Sequence, residues 1–188
     1  MPNWCNNSLR VDSNGSRDAI TKFRDWLGQD GFKLNKIKPM PSELDDTTSP
    51  TREGDEEKAK LLFEKYGASN WYDWHVNNWG TKWDVDAEVN DNDSLIIVNF
   101  DSAWAPPQLA VRELARQFPE LEFRLSYEET GMGFAGFDLL QGDEEIDSAY
   151  VEADDKEEYR TFIIDEFGYD PFEHLEEDEE ESKPIVSA

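Results

Sequence analysis

The chain has 188 residues, with 44 Asp or Glu against 18 Lys or Arg and a net charge of -26. Its 37% hydrophobic and 13% aromatic content is too rich in core formers for a disordered chain, its charge repels phosphate backbones and anionic headgroups, and no apolar run approaches the roughly 20 residues that cross a bilayer. A single cysteine excludes an intrachain disulfide framework, and Met1 to Ser8 has neither the basic region nor the apolar run of a signal peptide, which points to the cytoplasm.

Cys5, Asn7, Leu9 and Val11 alternate with Trp4, Asn6, Ser8 and Arg10, a strand pattern that ends at an Asn14-Gly15 turn. Ser16 then caps a helix whose apolar face is Ile20, Phe23 and Leu27, with Ala19 and Trp26 beside it, and Gly28 ends it. Phe32 to Ile37 is Lys-rich and alternates only in part, up to Pro39-Met40-Pro41. A polar loop, 45–54, precedes a helix with Ala59, Leu62, Phe63 and Tyr66 on one face and Gly67 at its exit.

The stretch from Tyr66 to Asp84 holds four of the seven tryptophans. Asn70 caps a helix over Trp71 to Trp79, with Asp73 as its reciprocal partner and Gly80 as the left-handed exit. Trp71, Trp74, His75 and Asn78 share one face; Tyr72, Val76, Trp79 and, past the cap, Trp83 lie on another. Each such ring can bury on the order of 150–250 Å². The segment is therefore predicted to be a plug covered on both sides, with Trp79 and Trp83 structural.

Val85, Ala87 and Val89 alternate with Asp86, Glu88 and Asn90, and Leu95 to Phe100 is apolar on both faces, the mark of a central strand. Pro106-Pro107 start a helix with Ala110, Val111, Leu114, Ala115 and Phe118 inward. Leu121, Phe123, Leu125 and Tyr127 form an alternating strand, Phe134 to Leu140 a further one, and Ile146 to Val151 an edge. Without residues 30–84 the order is strand, helix, strand, strand, helix, strand. That is an α+β, ferredoxin-like split βαβ antiparallel sheet with a Trp-rich helical insertion in its first crossover, spanning residues 1–151.

Residues 152–188 form an acidic helical extension. From Asp143 to Glu181 there are 19 acidic residues against Lys156 and Arg160, which places -17 of the net charge in this segment. Asp154 or Asp155 caps a helix with Tyr159, Phe162, Ile163 and Phe167 on its docking face and Gly168 at its end. Asp170-Pro171 can start another, anchored only by Phe172 and Leu175. The run Glu176, Glu177, Asp178, Glu179, Glu180 and Glu181 has too little apolar surface to order itself.

Met1-Pro2-Asn3-Trp4-Cys5-Asn6-Asn7, Pro39-Met40-Pro41, Asn78-Trp79-Gly80-Thr81-Lys82-Trp83-Asp84, Ala103-Trp104 with Pro106-Pro107, and Tyr127-Glu128-Glu129 with Gly131 and Gly136 together resemble the YubB ferredoxin-like domain family. The resemblance is collinear over residues 1 to about 140. It implies a ferredoxin-like fold and an accessory role on a phage, plasmid or other mobile element, and it brings no catalytic residues to carry over.

No chemistry stands out among the residues themselves. Gly131-Met132-Gly133-Phe134-Ala135-Gly136 matches the dinucleotide-binding letters but leads into a strand, not a helix, and reads as a turn or bulge. His75 and His174 lack further ligands at metal-binding spacing, so neither a metal nor another cofactor is predicted. Cys5 reads as a small hydrophobe, Asp91-Asn92-Asp93 lacks the rest of a calcium loop, and no Gly-x-Ser-x-Gly elbow occurs. Catalysis is not expected. Two function classes remain. In one, the acidic residues Asp154, Asp155, Glu157, Glu158 and Glu176 to Glu181 bind a basic or DNA-binding host protein as an acidic mimic of DNA, with no direct binding to nucleic acid or membrane. In the other, Trp71, Trp74, His75 and Trp104 line a cleft through which the chain works as a small-ligand or nucleic-acid-processing enzyme or binder.

Overall fold

The computed structural model describes residues 3–173. His174, Leu175 and the acidic run 176–181 lie outside the described residues. Strand β1 (Trp4–Asp12) is followed by helix α1 (Arg17–Leu27), then by the insertion: a short helix α2 (Leu34–Ile37), a 3₁₀ turn (Ser42–Leu44), α3 (Glu56–Tyr66) and α4 (Trp71–Trp79). Strands β2 (Ala87–Asp91) and β3 (Leu95–Ala103), helix α5 (Gln108–Gln117) and β4 (Glu122–Glu129) complete the split βαβ pair, and β5 (Phe134–Gln141), β6 (Glu144–Glu152) and α6 (Lys156–Phe167) follow.

The sheet order is β2-β3-β1-β4-β5-β6, antiparallel throughout. Its first four strands have the ferredoxin-like interleaving, and the β5-β6 hairpin extends it past β4. Leu9 opposes Val98 and Leu125, and Val11 opposes Ile96 and Phe123, so two adjacent rows form one band of apolar side chains across the middle of the sheet. It packs with Ile20 and Phe23 of α1, Val111 and Leu114 of α5, and Trp79 in one buried core.

The other face of β4, β5 and β6 is covered by α6. Ala135 and Val151 pack there with Tyr159 and Ile163, and Phe137 stacks on Phe162 at 6.4 Å. Asp155 is the cap, accepting from the Glu158 amide at 3.1 Å, and Gly168 closes the helix in the left-handed region. A bidentate pair staples α6 down: Arg124 donates from Nε to Glu166 Oε1 at 2.9 Å and from Nη2 to Oε2 at 2.7 Å, with its guanidinium 3.6 Å from the centre of the Phe137 ring. Arg124 holds the Glu166 carboxyl below the ordinary glutamate value of 4.5, burial opposes this, and the Ser126 hydroxyl adds to it.

A depressed folded value means that this pair contributes fully above the unfolded value and is lost as pH falls below about 4.5. Glu166→Gln is expected to cost about 1 kcal/mol and to speed amide exchange across α6 by roughly fivefold at neutral pH. The difference from the native chain should shrink in acid; an equal difference at pH 3 and pH 7 would remove the ion pair as its cause.

Two details depart from the periodicity. On α3 only Leu62 is buried, with Ala59 and Tyr66 half-buried, while Phe63 is 58% exposed; at 100° per residue it lies on the outer side of the 59-62-66 stripe. Phe32 to Ile37 contains the four-residue helix α2, because the Asp84 carboxylate caps it, accepting from the Leu34 amide at 2.6 Å and the Asn35 amide at 3.3 Å. Among the described residues no helix is long and apolar enough to cross a membrane.

Candidate functional site

The aromatic segment divides into a buried and a surface group. Asn70 caps α4 as its spacing predicts: its Oδ1 accepts from the Asp73 amide at 3.0 Å while its Nδ2 donates to Asp73 Oδ2 at 2.8 Å, and Gly80 leaves in the left-handed region. Trp74 and Trp79 are buried and meet edge to face at 5.6 Å. His75 stacks on Trp79 at 3.9 Å, and its Nδ1 lies 2.8 Å from the Lys82 carbonyl oxygen, which requires the proton on that nitrogen. Burial lowers the His75 pKa below its ordinary value against the opposing pull of that carbonyl and nearby carboxylates, so the ring is neutral at pH 7. Trp71 meets the His75 ring edge-on at 5.4 Å.

Trp83 corrects the expectation of a two-sided plug. It is 37% exposed, as is Val76, because among the described residues no element covers the outer side of α4; Trp83 instead lies 6.1 Å from the exposed Trp4. Lys82 holds this surface group together, with its Nζ 4.5 Å from the Trp83 ring and 4.6 Å from that of Trp104. Trp104 adopts a left-handed φ of 70°. The residues proposed as one aromatic site are thus split, with Trp71, Trp74 and His75 around the core and Trp104 on the surface. The two larger clefts described below contain no tryptophan.

The glycine-rich segment is a turn. Glu129, buried at the end of β4, accepts from the amides of Gly131 at 2.9 Å and Met132 at 2.6 Å, so the chain's own carboxylate occupies the donors that a pyrophosphate would need. Cys5 is buried on the core face of β1, and desolvation pushes its thiol up to about 12, which keeps it protonated and unreactive. Beside it Asn7 Nδ2 donates to the Cys5 carbonyl at 2.7 Å and to Ser102 Oγ at 2.9 Å, and the Ser102 hydroxyl donates to the Ala105 carbonyl at 2.8 Å. This polar chain fixes the loop between β3 and α5. Among the described residues no group of three His, Cys, Asp or Glu side chains could hold a metal.

The proposed acidic contact residues that fall within the described chain lie in the turn between β6 and α6 and on the first turn of α6. Asp154, Asp155, Glu157 and Glu158 are exposed, as are Glu144, Glu145, Asp147 and Asp165. Asp155 has a local role as cap, and carboxylates in the first turn favour the helix dipole. Glu157 and Glu158 also rim a groove of about 490 Å³ between α6 and β6, floored by Phe137, Val151 and Phe162 and closed at its far end by Asp165.

A second cleft, about 380 Å³, opens on the opposite face of β5 and β6. Gln108, at the start of α5, donates from Nε2 to Asp138 Oδ2 at 2.9 Å and to the Tyr127 hydroxyl at 3.3 Å. Tyr127 and Asp138 are each 4% exposed. Phe134 meets the Tyr127 ring edge-on at 6.4 Å and stacks with Tyr150 at 6.1 Å, forming an aromatic wall. Sequence reasoning missed these residues. One signal was present: Asp138 falls on the same side of its strand as Phe134 and Leu140, the side that faces the core.

The family profile described as the ferredoxin-like domain in Api92-like protein matches residues 78–181, more than half of the chain. The match takes in α6 and the acidic run 176–181. The crystal structure of the protein Api92 from Yersinia pseudotuberculosis superposes with a TM-score of 0.50 at 13% identity, covering 81% of this chain and 99% of that one, a likeness of fold alone. No curated protein matches the chain. By the span of its profile match, the chain belongs to the family of Api92-like proteins with a ferredoxin-like domain.

Proposed function

We propose that this chain is a non-enzymatic accessory protein of a phage or plasmid, working in the cytoplasm, that binds a basic, DNA-binding host protein as an acidic mimic of DNA. The observation that carries this reading is the placement of the exposed α6 carboxylates Glu157, Glu158 and Asp165 around an apolar groove. Duplex DNA presents one negative charge per roughly 1.7 Å of its axis, and a helix advances about 1.5 Å per residue, so an all-acidic run approaches that density. The groove floor adds what charge alone lacks, a desolvated anchor point for a partner side chain. The resemblance to the YubB family supports the mobile-element setting.

The test uses the full chain as bait in a host lysate, followed by salt elution and competition with duplex DNA. A partner held on exposed carboxylates should leave steeply as salt rises, because the Debye length is only about 8 Å at physiological ionic strength, and duplex should compete for it. Replacing Asp154, Asp155, Glu157, Glu158 and Glu176 to Glu181 by their amides is expected to weaken binding at least tenfold. Undiminished binding by that variant, or direct binding of the native chain to duplex DNA, would overturn the proposal.

A further inference from the structure

The cleft beneath β5 and β6 has a composition that the acidic face does not account for. Asp138 is buried on the core side of the sheet, yet its hydrogen-bond donor is a neutral one, the Gln108 carboxamide at 2.9 Å, and among the described residues it forms no ion pair. Its second oxygen, Oδ1, accepts no hydrogen bond from the described residues, and Asp138 is among the residues that line the cleft. The nearest cation in charge terms, Arg112, is committed to Glu145 at the rim. Burial accordingly holds the Asp138 carboxyl above the ordinary aspartate value, with the Gln108 hydrogen bond and Arg112 only partly offsetting it and Glu145 adding to it. A desolvated carboxylate without a cation is costly. The space around it is walled by aromatic rings, Phe134, Tyr127 and Tyr150, whose faces attract positive charge and pack apolar stems.

We propose that this cleft is a binding site for a small organic cation, an ammonium or guanidinium group on a short apolar stem. The head pairs with Asp138 Oδ1, and the stem packs on Phe134 and Tyr150. The Gln108 carboxamide oxygen and the Tyr127 hydroxyl oxygen supply further acceptors. The net charge of -26 concentrates cations near the surface in general, and the buried acceptor gives selectivity within that population. The site lies on the face of the sheet away from the α6 groove, so it stands or falls separately from the acidic-mimic reading.

Butylguanidinium, butylammonium and butyltrimethylammonium, titrated at physiological ionic strength, are the probes, read by the side-chain resonances of Gln108, Tyr127 and Tyr150. Saturable, one-to-one shifts at these three residues are expected, with the two hydrogen-bonding heads ahead of the trimethylammonium one. Asp138→Asn should weaken binding at least tenfold and Tyr150→Ala, an exposed wall position, severalfold. Glu157→Gln with Glu158→Gln should leave it unchanged. Because the raised Asp138 value means that ionising this group opposes folding at neutral pH, Asp138→Asn should melt at or above the native temperature. A capped Gly-Arg-Gly peptide distinguishes sources: weaker binding than butylguanidinium assigns the site to free cations, tighter binding to an arginine side chain. Non-saturable shifts, or equal affinity of Asp138→Asn and the native chain, would overturn the proposal.

Discussion

Replacing Trp79 by alanine is expected to lower folding stability by about 3–5 kcal/mol, seen as a drop in the urea midpoint with an unchanged slope. The indole is 2% exposed and belongs to the main core. Its Nε1 donates to the Lys38 carbonyl at 2.9 Å, so truncation removes a ring and also leaves a carbonyl without its donor. It would further unstack His75 at 3.9 Å and Trp74 at 5.6 Å. This one side chain ties the end of α4 to the segment just after α2, and the loss should be cooperative across the insertion. Trp83→Ala is the internal comparison: at 37% exposure, with contacts to Trp4 and Lys82 only at the surface, it should cost less than half as much. Equal midpoints for Trp79→Ala and the native chain would show that the insertion does not close on this residue.

The difference between these tryptophans marks what the sequence makes legible. Local rules placed α4 from Asn70 to Gly80, and α6 from Asp155 to Gly168 with its Tyr159-Ile163 stripe, because caps and exits depend on residues within four positions. Alternation likewise gave the core-facing sides of β1 and β4. Periodicity also showed that aromatic residues lie on two sides of α4, but not that only one side receives a covering element. The same limit hid the candidate sites. Arg124 and Glu166 meet across 42 positions, and Tyr127, Asp138 and Gln108 converge only once β4, β5 and α5 are in register. Charge counting, in turn, found the acidic segment but not the groove beneath Glu157 and Glu158, whose floor comes from β5 and β6.

Gly136→Ala is expected to destabilise by about 3 kcal/mol, the upper end of the range for overpacking, although the substitution adds one methyl to a strand. A Cβ there would stand 2.5 Å from the Ala149 carbonyl oxygen, 2.5 Å from the Tyr127 hydroxyl and 2.7 Å from the carbon that bears it. Neither neighbour can yield: the carbonyl is part of the β5-β6 pairing, opposite Phe137, and the tyrosine ring is held among Gln108 and Phe134. The glycine is needed for close approach, not for a special φ. Gly131→Ala gives the contrast, since the nearest atoms to a methyl there are side-chain ends of Asn3 and Glu129, at 2.8 and 2.9 Å: exposed Asn3 can turn aside, and only the carboxylate end of Glu129 must shift, at a smaller cost than moving backbone. A dinucleotide loop would rank the two the other way, with the first glycine at the phosphate-binding turn the more sensitive. Urea denaturation of both variants decides the matter. If Gly136→Ala proves no costlier than Gly131→Ala, then β5 and β6 are not in this register, and the cleft around Tyr127 and Asp138 loses its floor.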